Sequence, residues 1–427
     1  MSLLERVKKL EPKKGTLAHT VFDGFFTFLY TPNMVTASKG VQIRDRIDLK
    51  RTMVIVVVAL QLCYLFGTFN IGHQHFAAQG LYTGYLEGLH LKLVYGLVKI
   101  LPIFVVTHVV GLGIEFYYAY KKGHAIEEGF LVSGALIPLI MPPDIPLWIL
   151  GIAVAFAVIV GKEAFGGTGM NILNIALLAR VFIFFAYPTE ISGDNVWIAG
   201  LVQEGGVYAA QTYGWIFGVF DGLFSSIGWA QFGPGGNAFV DGFTGATPLA
   251  LAAKGGWTAV TEVYSANQIL WGAIPGSIGE TSKPLILAGI ALLILSGIAS
   301  WRIMLSFALG AALTALLMNL LTNGTVGYDF LQVPWYFQFY MGSLLFALAF
   351  MATDPVTASG TNTGKWIYGF FIGSIGMIVR VMNPAYPEGW MLAILFMNVF
   401  APLIDYYVLK ANMNRRAKRA QVQTVNA

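Results

Sequence analysis

The chain has 427 residues, of which 56% are hydrophobic and 11% are charged, where a soluble domain carries about 25% charge. A mean hydropathy of +0.66, in apolar stretches that run on instead of alternating, excludes a soluble enzyme and argues against a β-barrel. The net charge of +4 is unevenly placed, and the single cysteine, Cys63, excludes an internal disulfide and a Cys-ligated iron–sulfur cluster.

Residues 1–52 hold ten Lys/Arg, among them Arg44, Arg46, Lys50 and Arg51. Lys121 and Lys122 form a second basic point, and Lys410, Arg415, Arg416, Lys418 and Arg419 a third. The positive-inside rule puts all three in the cytoplasm, so both termini lie inside and the number of spans is even. No apolar run precedes about residue 53, so no cleavable signal peptide is expected.

Hydropathy predicts ten spans: 53–71, 98–119, 129–142, 147–162, 171–187, 284–299, 303–321, 338–353, 366–381 and 388–409. The chain divides into a cytoplasmic arm (1–52), five spans (53–187), an external loop (188–282), five more spans (283–410) and a basic cytoplasmic tail (411–427). The external loop has seven acids and Lys254 as its only base, in keeping with a position outside. Five spans on either side of it, if they are repeats, must be inverted with respect to each other. The third span of each half is short and ends at proline beside an aspartate: Pro142-Pro143-Asp144 in one, Asp354-Pro355 in the other. Interrupted helices at matching positions point to a site between the halves; ordinary short spans ending in Pro-rich turns are the alternative.

Three segments bear chemistry. In the external loop, Asp241-Gly242-Phe243-Thr244-Gly245-Ala246-Thr247 is followed by Pro248, which suits the first position of a helix capped by Thr247. On its own residues Thr247 is an ordinary cap, although a phosphate on its hydroxyl would face the free N–H groups of that helix end. The second segment, Gly161 to Asn174, is a glycine loop at the cytoplasmic entry to the fifth span. It lacks the Gly-Lys-Ser/Thr ending of a P-loop, and nucleotide hydrolysis is not expected. Asn171 and Asn174, three apart, are expected on one helix face, where their amides can bond a polar heterocycle or merely satisfy the loop backbone. The third is a set of acids near the bilayer, Glu115, Asp144, Asp354 and Asp405, which are functional candidates because intramembrane carboxylates are costly. Asp144 is the one expected to be simply solvated at headgroup level. His73 and His75 alone are a weak metal signal.

Several runs together resemble one family. They are Arg44 to Arg51, Gly161 to Asn174, Phe184 to Pro188, Ile191 to Asp194, Asp241 to Thr247, Ile274 to Glu280 and Asn383 to Gly389. The chain resembles the B subunits of the Na⁺-translocating NADH:quinone oxidoreductases from about residue 21 to 419; the most specific element is the motif ending at Thr247. The resemblance implies ten helices in two inverted five-helix repeats, similar to urea and ammonium transporters. It implies FMN joined through its phosphate to Thr247, within the motif residues Asp241, Gly242, Thr244 and Gly245, by a separate flavin transferase. It implies a non-covalent riboflavin at Asn171 and Asn174 and a quinone region at Gly111, Glu115, Phe130 and Leu131. An acid on the Na⁺ path maps onto Asp405. The implied setting is a six-subunit complex, with partners of the A, C, D, E and F types, in a bacterial inner membrane; no nucleic acid is involved. Two departures stand out: Ile175 follows the second Asn where the family commonly has Pro, and the loop 73–97 is short. The alternatives are the D-type protein of the related Rnf complex, which lacks the long arm, and a passive urea- or ammonium-like channel without redox groups.

Overall fold

The computed structural model describes residues 7–29, 49–123, 129–194, 196–200, 245–322, 329–383 and 389–425. Regular structure among the described residues is helical. α1 (Leu17–Leu29) lies before the first half, which comprises α2 (Leu49–Ala78), α3 (Leu89–Lys122), α4 (Phe130–Leu139), α5 (Leu147–Gly161) and α6 (Ile175–Ala186). Two helices, α7 (Pro248–Val263) and α8 (Ala266–Trp271), belong to the segment between the halves. The second half comprises α9 (Lys283–Leu295), α10 (Trp301–Thr322), α11 (Leu344–Phe346), α12 (Asn362–Met382) and α13 (Trp390–Val425). α11 runs directly into a π turn, Ala347–Met351. Six of the described helices are long and apolar enough to cross a bilayer, and α4, α6 and α9 are shorter apolar helices. The chain is a multi-pass membrane protein.

The distribution of side chains on α10 shows why. Ile303, Phe307, Gly310, Ala311 and Ala315 face inward, whereas Leu305, Leu309, Leu313, Leu316 and Leu320 are exposed. Lipid solvates leucine as well as a protein core does, so the helix turns its small residues inward, where they permit close packing. A Cβ on Gly310 would strike the backbone of Phe370, and one on Gly373 the backbone of Phe307 and Ala311. α10 and α12 therefore pack backbone to backbone.

The two halves share a packing pattern. In each, the second helix packs on the fourth and the fourth on the fifth: α3 on α5 and α5 on α6, then α10 on α12 and α12 on α13. α2 packs on α9 and α6 on α13, joining the first helices and the fifth helices of the halves. The third helix is short in both. α4 has ten residues, a length of about 15 Å, half of a hydrocarbon core of about 30 Å. The chain then turns through Pro142-Pro143-Asp144, and in the second half through Asp354-Pro355, because proline offers no N–H to continue the ladder.

Among the described residues, parts of all three basic points lie near the glycine loop or the second break. Thr52, at the end of the basic arm, lies beside the glycine loop. Lys122 Nζ is 3.0 Å from Glu163 at the start of that loop. α13 bears Asp405 beside the Ser359–Thr361 turn that follows the second break, with the basic tail just beyond.

Candidate functional site

Two cavities lie at opposite ends of the same two helices. The first is walled by Asn174 and Ile175 at the start of α6 and by Leu293 near the end of α9. The second is walled by Arg180 and Phe184 farther along α6 and by Lys283 at the start of α9. Ten residues separate Asn174 from Phe184, and ten separate Leu293 from Lys283, a rise of about 15 Å along either helix.

The glycine loop closes the first cavity. Gly166, Gly167 and Gly169 have φ of 122°, 109° and 87°, backbone open to glycine and strained for other residues. Asn174 is the N-cap of α6: its Oδ1 accepts from Leu177 N at 3.2 Å, and its Nδ2 donates to Asp354 Oδ2 at 3.4 Å. Asn398 reaches both Tyr368 Oη (2.6 Å) and Asn174 N (3.2 Å). Asn171 lies before the helix and donates to Leu173 O at 3.2 Å. The two asparagines therefore do not share a helix face, contrary to the expectation from their spacing, because α6 begins only at Ile175. They still line one cavity, together with Asp354, whose carboxylate also accepts from Val356 N (3.1 Å) and Thr357 Oγ1 (3.0 Å).

The residues expected at a quinone site do not line this cavity themselves; their neighbours Gly129, Val132 and Lys162 do. Gly111 and Glu115 are one turn apart on α3, and a Cβ on Gly111 would enter the ring of Phe130. Phe130 is fully buried at the start of α4, and Leu131 is half-buried beside it. Glu115 is paired with Lys162, both almost fully buried, and Lys162 lines the cavity. A buried pair of this kind holds its two chains together because removing one partner strands the other's charge.

Asp405 is neither bare nor simply hydrated. Its carboxylate accepts from Ser359 Oγ (2.6 Å), Gly360 N (2.7 Å), Thr361 N (3.1 Å) and Thr361 Oγ1 (2.5 Å). It is half-buried and ties α13 to the turn that starts α12.

Thr247 stands at the wall of the second cavity, half-buried, as the N-cap of α7, with Oγ1 accepting from Ala250 N at 3.1 Å and Pro248 at the first helical position. Its neighbours are fixed. Gly245 is packed so that a Cβ would come within 2.7 Å of Asp194 O, and Ala246 O accepts from Tyr264 Oη at 2.9 Å. Burial pushes the Tyr264 hydroxyl well above its ordinary pKa, so it stays protonated and donating. α7 breaks at Gly255 and Gly256, the latter at φ 66°. Lys254, just before the break and two turns from Thr247, pairs with Asp194. Asp241, Gly242 and Thr244 lie outside the described residues.

Three groups escaped the sequence reading. Arg180, 3% exposed in the apolar run Ile175–Ala186, donates Nη1 to Glu280 Oε1 at 3.1 Å on the wall of the second cavity. The signal was there, since an arginine inside a span is a functional candidate by default. Lys162 belongs to the glycine loop, and its partner Glu115 is 47 positions away in the chain. Asp144, expected to be solvated, is instead paired with the buried Lys99 and accepts from Gly200 N at 2.6 Å. A lysine inside the second span leaves that carboxylate a partner that headgroup-level solvation would not provide. His73 contacts Lys92 (3.1 Å) and His75 contacts Ala199 O (2.7 Å), so the two rings serve different neighbours.

A family model described as "NQR2, RnfD, RnfE family" matches residues 36–414. The chain belongs to the NQR2, RnfD, RnfE family. Among curated relatives of this family, the B subunit of the Na(+)-translocating NADH-quinone reductase of Chromohalobacter salexigens is 40% identical over 441 residues, covering 98% of this chain and 97% of the relative. The B subunits of the same name in Klebsiella pneumoniae and Pseudomonas aeruginosa are 37% and 38% identical, with 98% of this chain covered in each and 100% and 98% of the relatives. Similarity over the whole length takes in both cavities, the glycine loop and the Thr247 segment.

Proposed function

We propose that the chain is the B-type membrane component of a Na⁺-translocating NADH:quinone reductase and that its two cavities hold two flavins, FMN esterified to Thr247 and riboflavin beside Asn171 and Asn174. The observation that carries this reading is the pair of cavities at the two ends of α6 and α9, about 15 Å apart along the helices, one with a threonine hydroxyl at its wall and the other with asparagine amides. Bound there, the two flavins supply one-electron carriers that link a donor on one side of the membrane to quinone on the other.

The residues fit that cargo. The Thr247 hydroxyl is reachable from the cavity, Lys254, paired with Asp194, stands two turns along α7 from it, and Phe184, Trp197 and Leu249 offer apolar surface for a planar ring. In the first cavity the Asn171 amide oxygen is the acceptor left at the wall once its Nδ2 has bonded Leu173 O, while Asn174 and Asp354 hold the loop in place. Gly111 and Phe130, packed together, with Glu115 held by Lys162, form the adjoining quinone region, which Leu131 borders.

Arg51 at the start of α2, Lys122 beside the glycine loop and the basic tail beyond Asp405 support a cytoplasmic position for that end and for both termini. The shared packing pattern supports two inverted five-helix repeats, with α11 and its π turn in the eighth of the ten expected spans, an architecture similar to urea and ammonium transporters. In this reading Asp405 serves Na⁺ entry from the cytoplasm, the other five subunit types complete the complex in a bacterial inner membrane, and a flavin transferase loads Thr247. The alternative of an Rnf-type D protein is disfavoured by full-length similarity to relatives named as reductase B subunits. Flavin fluorescence of the denatured polypeptide on a gel tests the reading: the wild-type chain fluoresces and Thr247→Ala does not. A dark wild-type chain would leave a channel without redox groups.

A further inference from the structure

We propose that the Arg180–Glu280 ion pair holds the redox potential of the flavin at Thr247 in balance, with Arg180 drawing electrons onto the ring and Glu280 opposing it. The proposal rests on the assignment of that flavin to Thr247. Arg180 and Phe184 stand one turn apart on α6 and both line the Thr247 cavity. Glu280, from the segment before α9, lines the same wall, so a positive and a negative charge stand together on one side of the cavity. Both side chains are buried, at 3% and 6% exposure, and act there with little screening by water or salt.

The pair is held on all sides. Ser277 Oγ donates to the second carboxylate oxygen of Glu280, and Lys283 Nζ donates to Glu280 O and Gly342 O, each at 2.9 Å. Arg180 also lies six residues from Asn174, between the two cavities, yet it lines only the second. Its field therefore bears more on a flavin at Thr247 than on one at Asn171. Reduction adds negative charge to a flavin or draws a proton to it. A fixed positive charge favours that change and a fixed negative charge disfavours it. A unit charge within about 10 Å at an effective dielectric constant of about 20 changes the equilibrium roughly tenfold. No change in the shape of the site is required, so the two single variants must move the potential in opposite directions.

The test uses the intact complex with Arg180→Met, Arg180→Lys, Glu280→Gln and the double variant Arg180→Met/Glu280→Gln. In-gel fluorescence first establishes covalent flavin on each chain; spectroelectrochemical titration then follows that flavin. At the potential where wild type is half reduced, Arg180→Met should show a reduced-to-oxidised ratio about tenfold lower and Glu280→Gln one about tenfold higher. Arg180→Lys and the double variant should stay within about threefold of wild type, and the flavin at Asn171 should move less in every variant. Glu280→Gln keeps its shape and reports even if Arg180→Met does not assemble. Fluorescent chains that all titrate like wild type, or single variants that shift in the same direction, overturn this proposal and leave the Thr247 assignment intact. A wild-type chain without covalent flavin overturns the assignment and the proposal with it.

Discussion

Replacing Asn171 and Asn174 separately distinguishes the ligand role from the structural one. Asn174 is committed to the protein: it caps α6 through Leu177 N and donates to Asp354. Asn171 spends one amide hydrogen on Leu173 O and retains an oxygen at the cavity wall. Asn171→Leu should therefore weaken riboflavin by about 1–3 kcal/mol, the cost of leaving a polar ligand group unpaired. At 1.4 kcal/mol per tenfold, this is a loss of affinity of roughly 5- to 150-fold, with the fold untouched. Asn174→Ser keeps a capping oxygen, costs a few tenths of a kcal/mol at the helix end, and should retain riboflavin. Asn174→Leu loses the cap, worth about 1 kcal/mol, and strands Leu177 N in a buried place, so it should lower both riboflavin content and thermal stability. The assay is flavin extracted by denaturation per mole of complex, with covalent FMN as internal control and a melting curve beside it. Wild-type riboflavin in both Asn171→Leu and Asn174→Leu would put the site elsewhere. Equal loss in Asn171→Leu and Asn174→Ser would refute the division of roles.

Gly111→Ala should force Phe130 from its position at an overpacking cost of about 1–3 kcal/mol. It should raise the KM for quinone with flavin content unchanged, and Phe130→Leu in the same chain should relieve it; wild-type quinone kinetics in Gly111→Ala would remove these residues from the quinone region. Asp405→Ala should raise the Na⁺ concentration for half-maximal quinone reduction, and Asp405→Glu should retain part of the response. Because Asp405 also anchors Ser359 and Thr361, Ser359→Ala is the control: a normal Na⁺ titration in Asp405→Ala withdraws the Na⁺ role and leaves the carboxylate as a tie between α13 and α12. Lys162→Met should destabilise the glycine loop by about 3–5 kcal/mol by stranding Glu115, and Lys162→Met/Glu115→Gln should recover most of it, as read from melting of the purified complex.

Whatever depends on neighbours in the chain was legible in the sequence. Membrane class followed from composition, and the short third helices followed from Pro142-Pro143 and Pro355. The cap at Thr247 followed from the threonine–proline pair. What depends on distant segments was not legible. The start of α6 is set by Asn174 reaching Leu177 N, which places Asn171 outside a helix that spacing alone would extend over it. Glu115 finds Lys162 across 47 positions and Arg180 finds Glu280 across 100, and no local pattern announces either pair. Asp144 looked like a solvated residue of a Pro-rich turn until the fold brought Lys99 and Gly200 to it. The motif residues Asp241, Gly242 and Thr244 stand on the sequence alone.

The central claim is the chemistry at Thr247, and mass spectrometry of the isolated chain tests it most directly. No Lys or Arg lies between Arg180 and Lys254, so one tryptic peptide contains both Thr244 and Thr247. Fragmentation of that peptide should place a single FMN, in phosphoester linkage, on Thr247, while riboflavin is released from the same sample by denaturation. FMN on Thr244, or a peptide with no flavin at all, would contradict the account.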